Sequence, residues 1–222
     1  MGGMIPLGDA SRRSARWPAV TVLLIAANAY VFFLELTNGE QFVYGHSVIP
    51  ARIAAGHGWG TILTAMFMHA SWSHIIGNMI FFWAFGPAME EAMGRFRFLA
   101  FYLVGGVVAM TAQVMAAPMS RVPNLGASGA IAAVMGAFLV TYPRDRIRTL
   151  LFLFFFFRIA FVPAALLIGF WFLTQLFSAG AVAGTVQTGG VAYLAHIGGF
   201  LFGVLTGRLW RRSDAVGPNR FA

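Results

Sequence analysis

Four polar side chains stand out within otherwise apolar stretches of this 222-residue sequence: His74, Asn78, Ser128 and His196. Polar and ionisable groups are costly inside a membrane, so such positions are functional candidates. A serine hydroxyl becomes an effective nucleophile when a neighbouring imidazole accepts its proton. Ser128 and His196 are therefore candidates for the nucleophile and the general base of peptide-bond hydrolysis by acyl transfer.

Attack on an amide creates an oxyanion, which preorganised hydrogen-bond donors must stabilise. Ser128 begins a predicted helix, so its own N–H and that of Ala127 lie free at the positive end of the helix dipole. His74 and Asn78 are four residues apart, so their side chains project from one face of a helix. These four residues form the predicted oxyanion site.

The composition places the candidates in a membrane protein. Apolar residues make up 59% of the chain and charged residues 10%, whereas a globular domain has about 45–50% and about 25%. The absence of cysteine excludes disulfides, thiolate metal sites and a cysteine nucleophile. The net charge of +8 suggests nucleic-acid binding, but so apolar a chain leaves too little polar surface for a basic face.

Six apolar runs are interpreted as membrane-spanning helices, since a helix needs about 20 apolar residues to cross roughly 30 Å of hydrocarbon. They are Trp17–Leu36, Trp72–Met89, Phe98–Met115, Ser128–Tyr142, Leu150–Phe177 and Val191–Trp210. The sequence thus predicts an all-α bundle of six transmembrane helices over residues 17–210, a leader at 1–16 and a basic tail at 211–222.

A cleaved signal peptide is the alternative interpretation of the first run, because Ala27-Asn28-Ala29 resembles a cleavage site. The apolar stretch continues through Leu34, where a cleaved chain should turn polar. An uncleaved anchor is therefore favoured.

All fifteen basic residues are arginines, and they are unevenly distributed along the predicted topology. With the N-terminus inside, twelve lie in inner segments, Arg52 and Arg121 lie in outer loops, and Arg158 is left inside the fifth run. The positive-inside rule then predicts that both termini are cytoplasmic. The same orientation places the four polar candidates in the outer leaflet.

The fourth run is short, because its fifteen residues span only about 22 Å. Ser128 should therefore lie below the membrane surface, at the floor of a water-accessible cavity. Gly199 and Gly203 share a face with His196, and Gly136 shares one with Ser128, so the two helices can approach closely. No acidic residue falls at this depth in the second, fourth or sixth helix, which predicts a Ser–His dyad without an acid.

Structural explanations compete with these functional ones. A lone serine in a membrane helix more often bonds its own helix, and glycine stripes more often serve packing. His69 and His74 could share a metal, but an i, i+5 pair with no acid or thiolate is poor ligand spacing, so no metal or other cofactor is predicted. His46 and His57 receive no role, and Glu90 is expected to bond a neighbouring helix near the inner surface.

Three motifs carry a family resemblance. Residues 67–78 (Phe-Met-His-Ala-Ser-Trp-Ser-His-Ile-Ile-Gly-Asn) resemble the second-helix signature of rhomboid intramembrane serine proteases. Residues 126–130 (Gly-Ala-Ser-Gly-Ala) resemble their Gly-x-Ser-Gly nucleophile motif, and residues 195–199 (Ala-His-Ile-Gly-Gly) resemble their sixth-helix Ala-His-x-x-Gly motif. The motifs occur in the family's order and cover the chain from about residue 60 to 208.

The resemblance implies a six-helix rhomboid fold in which Ser128 is the nucleophile and His196 the general base. It also implies an oxyanion site that includes His74 and Asn78, and substrates that themselves span the membrane. Glu90 matches a glutamate that the family uses structurally.

The sequence departs from the family at Ala132, where many members place an aromatic residue under the catalytic histidine, and it lacks the Trp-Arg pair that some members carry in the first loop. The family's use of the fifth helix for substrate access makes Trp171 and Phe172 candidate gate residues.

Three functions remain open at this point. The leading hypothesis is a protease that cuts membrane-spanning proteins near the outer face. The second is a non-catalytic rhomboid-like protein that binds membrane helices, against which the presence of both Ser128 and His196 counts. The third is a small transporter, for which the sequence shows no inverted repeat. The composition, with arginine as its only basic residue and no cysteine, favours a prokaryotic plasma membrane.

Overall fold

The computed structural model of the chain describes residues 2–12, 16–153, 156–182 and 192–212. Several sequence features lie outside these residues: Arg13, Phe154, Phe155, the loop at 183–191 and most of the predicted tail, including Arg220.

Six long helices and a small sheet make up the fold. The long helices are α1 (Ala19–His46), α4 (Trp72–Met93), α5 (Arg95–Ala116), α6 (Ser128–Thr141), α7 (Ala164–Val182) and α8 (Tyr193–Thr206). Two short helices, α2 (Pro50–Ala54) and α3 (Thr61–Thr64), lie in the first loop, and the strands are β1 (Gly2–Asp9), β2 (Arg146–Leu153) and β3 (Phe156–Pro163). Helix α1 is interrupted at Gly39, whose φ of 71° is left-handed.

Length and composition mark two of the described helices, α1 and α5, as able to cross a membrane. Two shorter apolar helices cover Ser128–Thr141 and Ala164–Ala179. The fold is therefore mostly helical and membrane-like in character, with α6 as short as the sequence predicts.

Helix α6 forms the centre of the bundle. Every residue from Gly129 to Phe138 is buried, because α4, α5, α7 and α8 all pack against this helix. A helix that is apolar all round is stable only when it is surrounded. Its first residue, Ser128, therefore lies at one end of a helix that is packed on all sides.

The prediction of an all-α fold with a fifth helix at Leu150–Phe177 is wrong. Residues 146–153 and 156–163 form the antiparallel pair β2 and β3, and β1 from the leader pairs with β2 in the order β1-β2-β3. An uninterrupted apolar run does not distinguish a buried strand pair from a helix, and this run is rich in phenylalanine, which favours strands. The helical part of the run begins only at Ala164.

The sheet also accounts for Arg158, which the sequence left inside a helix. Arg158 lies on β3, is exposed, and pairs with Leu151 of β2. One face of β2 packs on the bundle through fully buried Ile147 and Thr149. On the other face Arg148 is exposed. Arg158 therefore lies on an exposed strand and not inside a helix.

Several described arginines of the predicted inner segments form contacts at one end of the bundle. Arg12 pairs with Asp145, which follows α6, and Arg208 donates to the carbonyl oxygen of Val140 at 2.8 Å. At that end Arg97 also donates to the carbonyl oxygen of Arg211, at 3.2 Å.

The opposite end of the bundle holds the first loop. There the N–H of Val48 donates to the carbonyl oxygen of Asn124 at 2.9 Å, and the N–H of Ala51 donates to that of Ser120, also at 2.9 Å. Arg52 and Arg121 directly follow Ala51 and Ser120 in the sequence, so the only two arginines of the predicted outer loops lie at this end.

Strand β1 is attached to the bundle near a pair of carboxyl groups, Asp9 and Asp145. The pKa of Asp9 is raised to about 6, chiefly by burial and to a smaller extent by the neighbouring Asp145, while the Ser11 N–H and Arg12 oppose the shift. An acid whose pKa is raised by folding stabilises the fold fully below its unfolded pKa and loses that contribution as the pH rises through the folded pKa. The attachment of β1 should therefore weaken between about pH 4 and pH 6.

Asp9→Asn is expected to remove this pH dependence, because asparagine keeps an oxygen for the Ser11 N–H bond of 2.8 Å but carries no charge. Above pH 7 the variant should be more stable than the wild type by about 1 kcal/mol, allowing for solvent screening, and near pH 4 the two should be equal. Thermal unfolding in detergent at both pH values measures the difference. A stability difference that is the same at both pH values would contradict the assignment.

Candidate active site

Ser128 is the first residue of α6 and is partly accessible. The turn before it depends on Gly126, whose φ is 135° and whose N–H donates to the carbonyl oxygen of Ala65 at 2.8 Å. Only glycine adopts such a φ readily. The Gly-x-Ser-Gly pattern thus has a backbone reason: Gly126 turns the chain so that Ser128 projects from the helix start.

His196 lies four residues into α8 and is 7% exposed. Its Nε2 is 2.6 Å from the Ser128 Oγ, so the structure brings together the two residues that the sequence paired across 68 positions. This is the geometry in which an imidazole accepts the proton of a serine hydroxyl.

Glycines set the distance between α6 and α8. A Cβ placed on Gly199 would meet the carbonyl oxygen of Gly129, and one placed on Gly203 would meet that of Ala133. A Cβ on Gly136 of α6 would likewise meet the carbonyl oxygen of Phe200. The two backbones are therefore in direct contact along the stripe that the sequence predicted.

An aromatic ring packs beside the histidine although position 132 is alanine. The ring centroid of Trp171, on α7, is 5.8 Å from that of His196, with the planes inclined at 40°. Tyr193 approaches His196 edge-on at 6.5 Å. Ala132 itself is fully buried in α6. The aromatic packing beside His196 thus comes from α7 and from Tyr193 of α8.

Phe172, the other candidate gate residue, stacks on Phe200 of α8 with ring centroids 4.2 Å apart. The gate role of Trp171 and Phe172 stays a prediction.

The second nitrogen of His196 has a partner that the sequence analysis missed. Its Nδ1 is 2.7 Å from the Oε1 of Gln175 on α7. A signal was present, because Gln175 is a polar residue inside an apolar run, and the rule that singled out His196 and Ser128 applies equally to it.

His74 and Ser128 face the same small space. A Cβ on Gly126 would lie 3.1 Å from the His74 Nε2 and 3.4 Å from the Ser128 Oγ. The N–H of Ala70 donates to the His74 Nδ1 at 3.3 Å, so a neutral His74 carries its proton on Nε2. His74 therefore directs an N–H donor toward the reacting hydroxyl. The glycine leaves open the space between the two groups.

The other predicted oxyanion donors are unpaired among the described residues. The Asn78 Nδ2 is a buried donor with no acceptor in that part of the chain. The N–H groups of Ala127 and Ser128 likewise bond no described acceptor. Unsatisfied N–H groups at a helix start stabilise negative charge. Their role as oxyanion donors stays a prediction.

A second polar pair lies next to His74. The carboxylate of Glu35, buried in α1, accepts the N–H of His69 with both oxygens, at 3.0 and 3.2 Å. The ring of His69 is 5.1 Å from that of His74. Glu35 and His69 line a cavity of about 920 Å³ between α1 and the start of α4. The sequence analysis did not identify Glu35. Its position could have indicated a role, because it is an acidic residue in the outer half of an apolar helix.

Comparison with known proteins identifies a family. The family model of the rhomboid domain matches residues 56–213. The chain is 35% identical to the Rhomboid protease GluP of Bacillus subtilis over 127 residues, covering 55% of this chain and 24% of that protein. It is 27% identical to the Putative rhomboid protease YdcA of Bacillus subtilis over 124 residues, covering 55% of this chain and 62% of that protein.

A eukaryotic relative extends the match. The chain is 30% identical to the Rhomboid protein 1, mitochondrial, of Saccharomyces cerevisiae over 164 residues, covering 72% of this chain and 44% of that protein. The chain thus spans between a quarter and three fifths of the length of these relatives. The family match contains the turn before Ser128, the histidine of α8 and the start of α4, and this chain belongs to the rhomboid family.

Proposed function

We propose that this chain is an intramembrane serine protease that hydrolyses peptide bonds of membrane-spanning proteins near the outer face of the bilayer. The observation that carries the proposal is the 2.6 Å contact between the His196 Nε2 and the Ser128 Oγ. One curated relative is named a rhomboid protease and another a putative one. The partners of this chain would be transmembrane protein substrates and the lipid bilayer.

In the proposed reaction His196 accepts the Ser128 hydroxyl proton while the Ser128 Oγ attacks the substrate carbonyl carbon. The carbonyl oxygen then becomes an oxyanion, which the N–H groups of Ala127 and Ser128 and the side chains of His74 and Asn78 stabilise. His196 returns its proton to the leaving amine, and water later hydrolyses the acyl-enzyme by the same route.

The test uses the purified full chain, a fluorophosphonate serine probe and a single-span model substrate. The wild type should label and cleave, Ser128→Ala should do neither, and His196→Ala should lose both by orders of magnitude, because its serine lacks a base. Equal labelling of the wild type and Ser128→Ala would overturn the proposal. Labelling at Ser128 without cleavage of any membrane-spanning substrate would favour the alternative, a rhomboid-like protein that binds membrane helices.

We also propose that all six long helices cross the membrane within residues 17–210 and that both termini are cytoplasmic. Only two of the fifteen arginines, Arg52 and Arg121, lie in the predicted outer loops. The other thirteen lie elsewhere in the sequence, and one of these, Arg158, belongs to the sheet. The composition, with its lack of lysine and cysteine, supports a prokaryotic plasma membrane, although some relatives are named as mitochondrial or chloroplastic.

The absence of cysteine makes the orientation directly testable. In intact cells, a membrane-impermeant maleimide should label Arg121→Cys and should leave Arg144→Cys unlabelled until the membrane is permeabilised. The parent chain, with no thiol, is the blank. Labelling of Arg144→Cys from outside would reverse the proposed topology.

A further inference from the structure

The hydrogen bond between the Gln175 Oε1 and the His196 Nδ1 points to a role for Gln175 beyond helix packing. The two atoms are 2.7 Å apart, and the bond joins α7 to α8 on the side of the imidazole opposite Ser128. In serine hydrolases with three catalytic groups, a carboxylate at this position holds the histidine in the required tautomer. No acidic residue contacts the His196 ring in the described part of the chain.

The orientation of the Gln175 amide is fixed by its own helix. Its Nε2 donates to the carbonyl oxygen of Trp171 at 3.4 Å and to the Oγ1 of Thr174 at 3.1 Å. The Thr174 hydroxyl in turn donates to the same carbonyl oxygen at 2.6 Å. A carbonyl oxygen only accepts, so the amino group of Gln175 faces the helix and its oxygen faces the histidine.

An amide oxygen only accepts hydrogen bonds, so the His196 Nδ1 must carry the proton when the ring is neutral. The Nε2 is then unprotonated and free to accept the Ser128 Oγ–H. A carboxylate would impose the same tautomer, but placing a charge in this apolar setting is costly, whereas an amide is not.

We propose that Gln175 is a positioning residue, which holds His196 in the tautomer and orientation needed to accept the proton of Ser128. The inference rests on the proposed protease function, which it deepens. Gln175 takes the place of the acid of a triad and supplies its orienting contact, while leaving a protonated His196 without a balancing charge.

Two of the described groups beside the imidazole of His196 come from α7. Trp171 and Gln175 are four residues apart and lie on one helical face, and each touches His196. The alignment of the general base therefore depends on α7 lying against α8, although the serine and histidine themselves belong to α6 and α8.

The first test compares Gln175→Leu and Gln175→Glu with the wild type in the rate of fluorophosphonate labelling as a function of pH. Gln175→Leu keeps the bulk and removes the acceptor, so its rate at neutral pH should fall by about 10²–10³-fold, as expected when the tautomer is lost. Gln175→Glu should retain labelling and move the acid limb of the profile to higher pH by about one unit, because a carboxylate stabilises the imidazolium.

Leu173→Ala is the matched control, since Leu173 is half-exposed on the same helix and should leave rate and profile unchanged. A structural role for Gln175 would not move the acid limb. A Gln175→Leu variant that labels at the wild-type rate with an unchanged profile overturns the inference and leaves the proposed function standing.

The second test does not require activity. Nuclear magnetic resonance of the full chain with ¹⁵N-labelled histidine, assigned with His196→Asn, reports which ring nitrogen carries the proton. The wild type should show protonated Nδ1, and Gln175→Leu should show a mixture of tautomers. The same tautomer in both proteins overturns the inference even if the chain proves not to be a hydrolase.

Discussion

Gly199→Ala is expected to inactivate the protein by separating the two catalytic helices. The added Cβ would overlap the carbonyl oxygen of Gly129, the residue next to Ser128, and would crowd the Cβ of Ala109 at 3.3 Å. The obstacle is backbone, which cannot rotate away, so α8 must move from α6. A displacement near 1 Å at a reacting pair costs about 100-fold in rate, and overpacking costs about 1–3 kcal/mol of stability.

The measurements are fluorophosphonate labelling of Ser128 and thermal unfolding of the same preparation. Gly169→Ala is the control, because a Cβ at Gly169, also in a helix, meets nothing within 4 Å. That variant should keep its activity and be as stable as the wild type or slightly more so. Wild-type labelling by Gly199→Ala would show that the close approach of α6 and α8 does not hold the dyad together.

Glu90→Ala is expected to cause the largest loss of stability among the single changes proposed. The buried carboxylate of Glu90 accepts the N–H of Val20 at 3.0 Å, and the N–H and hydroxyl of Thr21 at 2.8 Å each. Helix α1 has no side-chain cap of its own, so a glutamate of α4 caps it and complements its dipole. Removing three bonds to a charged acceptor should cost about 3 kcal/mol or more.

Unfolding in detergent, followed by circular dichroism, measures this loss. Glu90→Gln keeps one acceptor oxygen, so its loss of stability should be intermediate. Glu40→Ala, at an exposed position, should leave the stability unchanged. Equal stability of Glu90→Ala and Glu40→Ala would remove Glu90 from the account of how α1 is attached.

The sequence singles out the proposed catalytic pair because polar residues in apolar membrane runs are rare and costly. Ser128 and His196 needed no knowledge of contacts, only the span boundaries and the charge asymmetry that orients them. Glu90 was predicted as a structural residue for a similar reason, and its bonds to α1 confirm this. The same rule, that a polar residue in an apolar run has a specific role, would also have identified Gln175 and Glu35 as candidates.

The sheet was not predictable from local pattern. The run from residue 150 to 177 is apolar apart from Arg158, Thr174 and Gln175, so hydropathy does not indicate that its first part contains two strands. The deciding partner is β1, which pairs with β2 across more than 130 residues of sequence. Long-range pairing of this kind leaves no periodic signal in either segment, and the leader by itself shows no strand alternation.

By itself the sequence determined that the protein is a membrane protein, which helix ends carry the arginines, and which serine and histidine face one another. These properties follow from composition and spacing, which act residue by residue. The tertiary structure alone decided that Gln175 binds the second nitrogen of His196, that Trp171 packs beside the His196 ring, and that Arg158 lies on a strand. Such contacts depend on how closely separate helices approach, and backbone contact at a few glycines sets that distance only after the chain has folded.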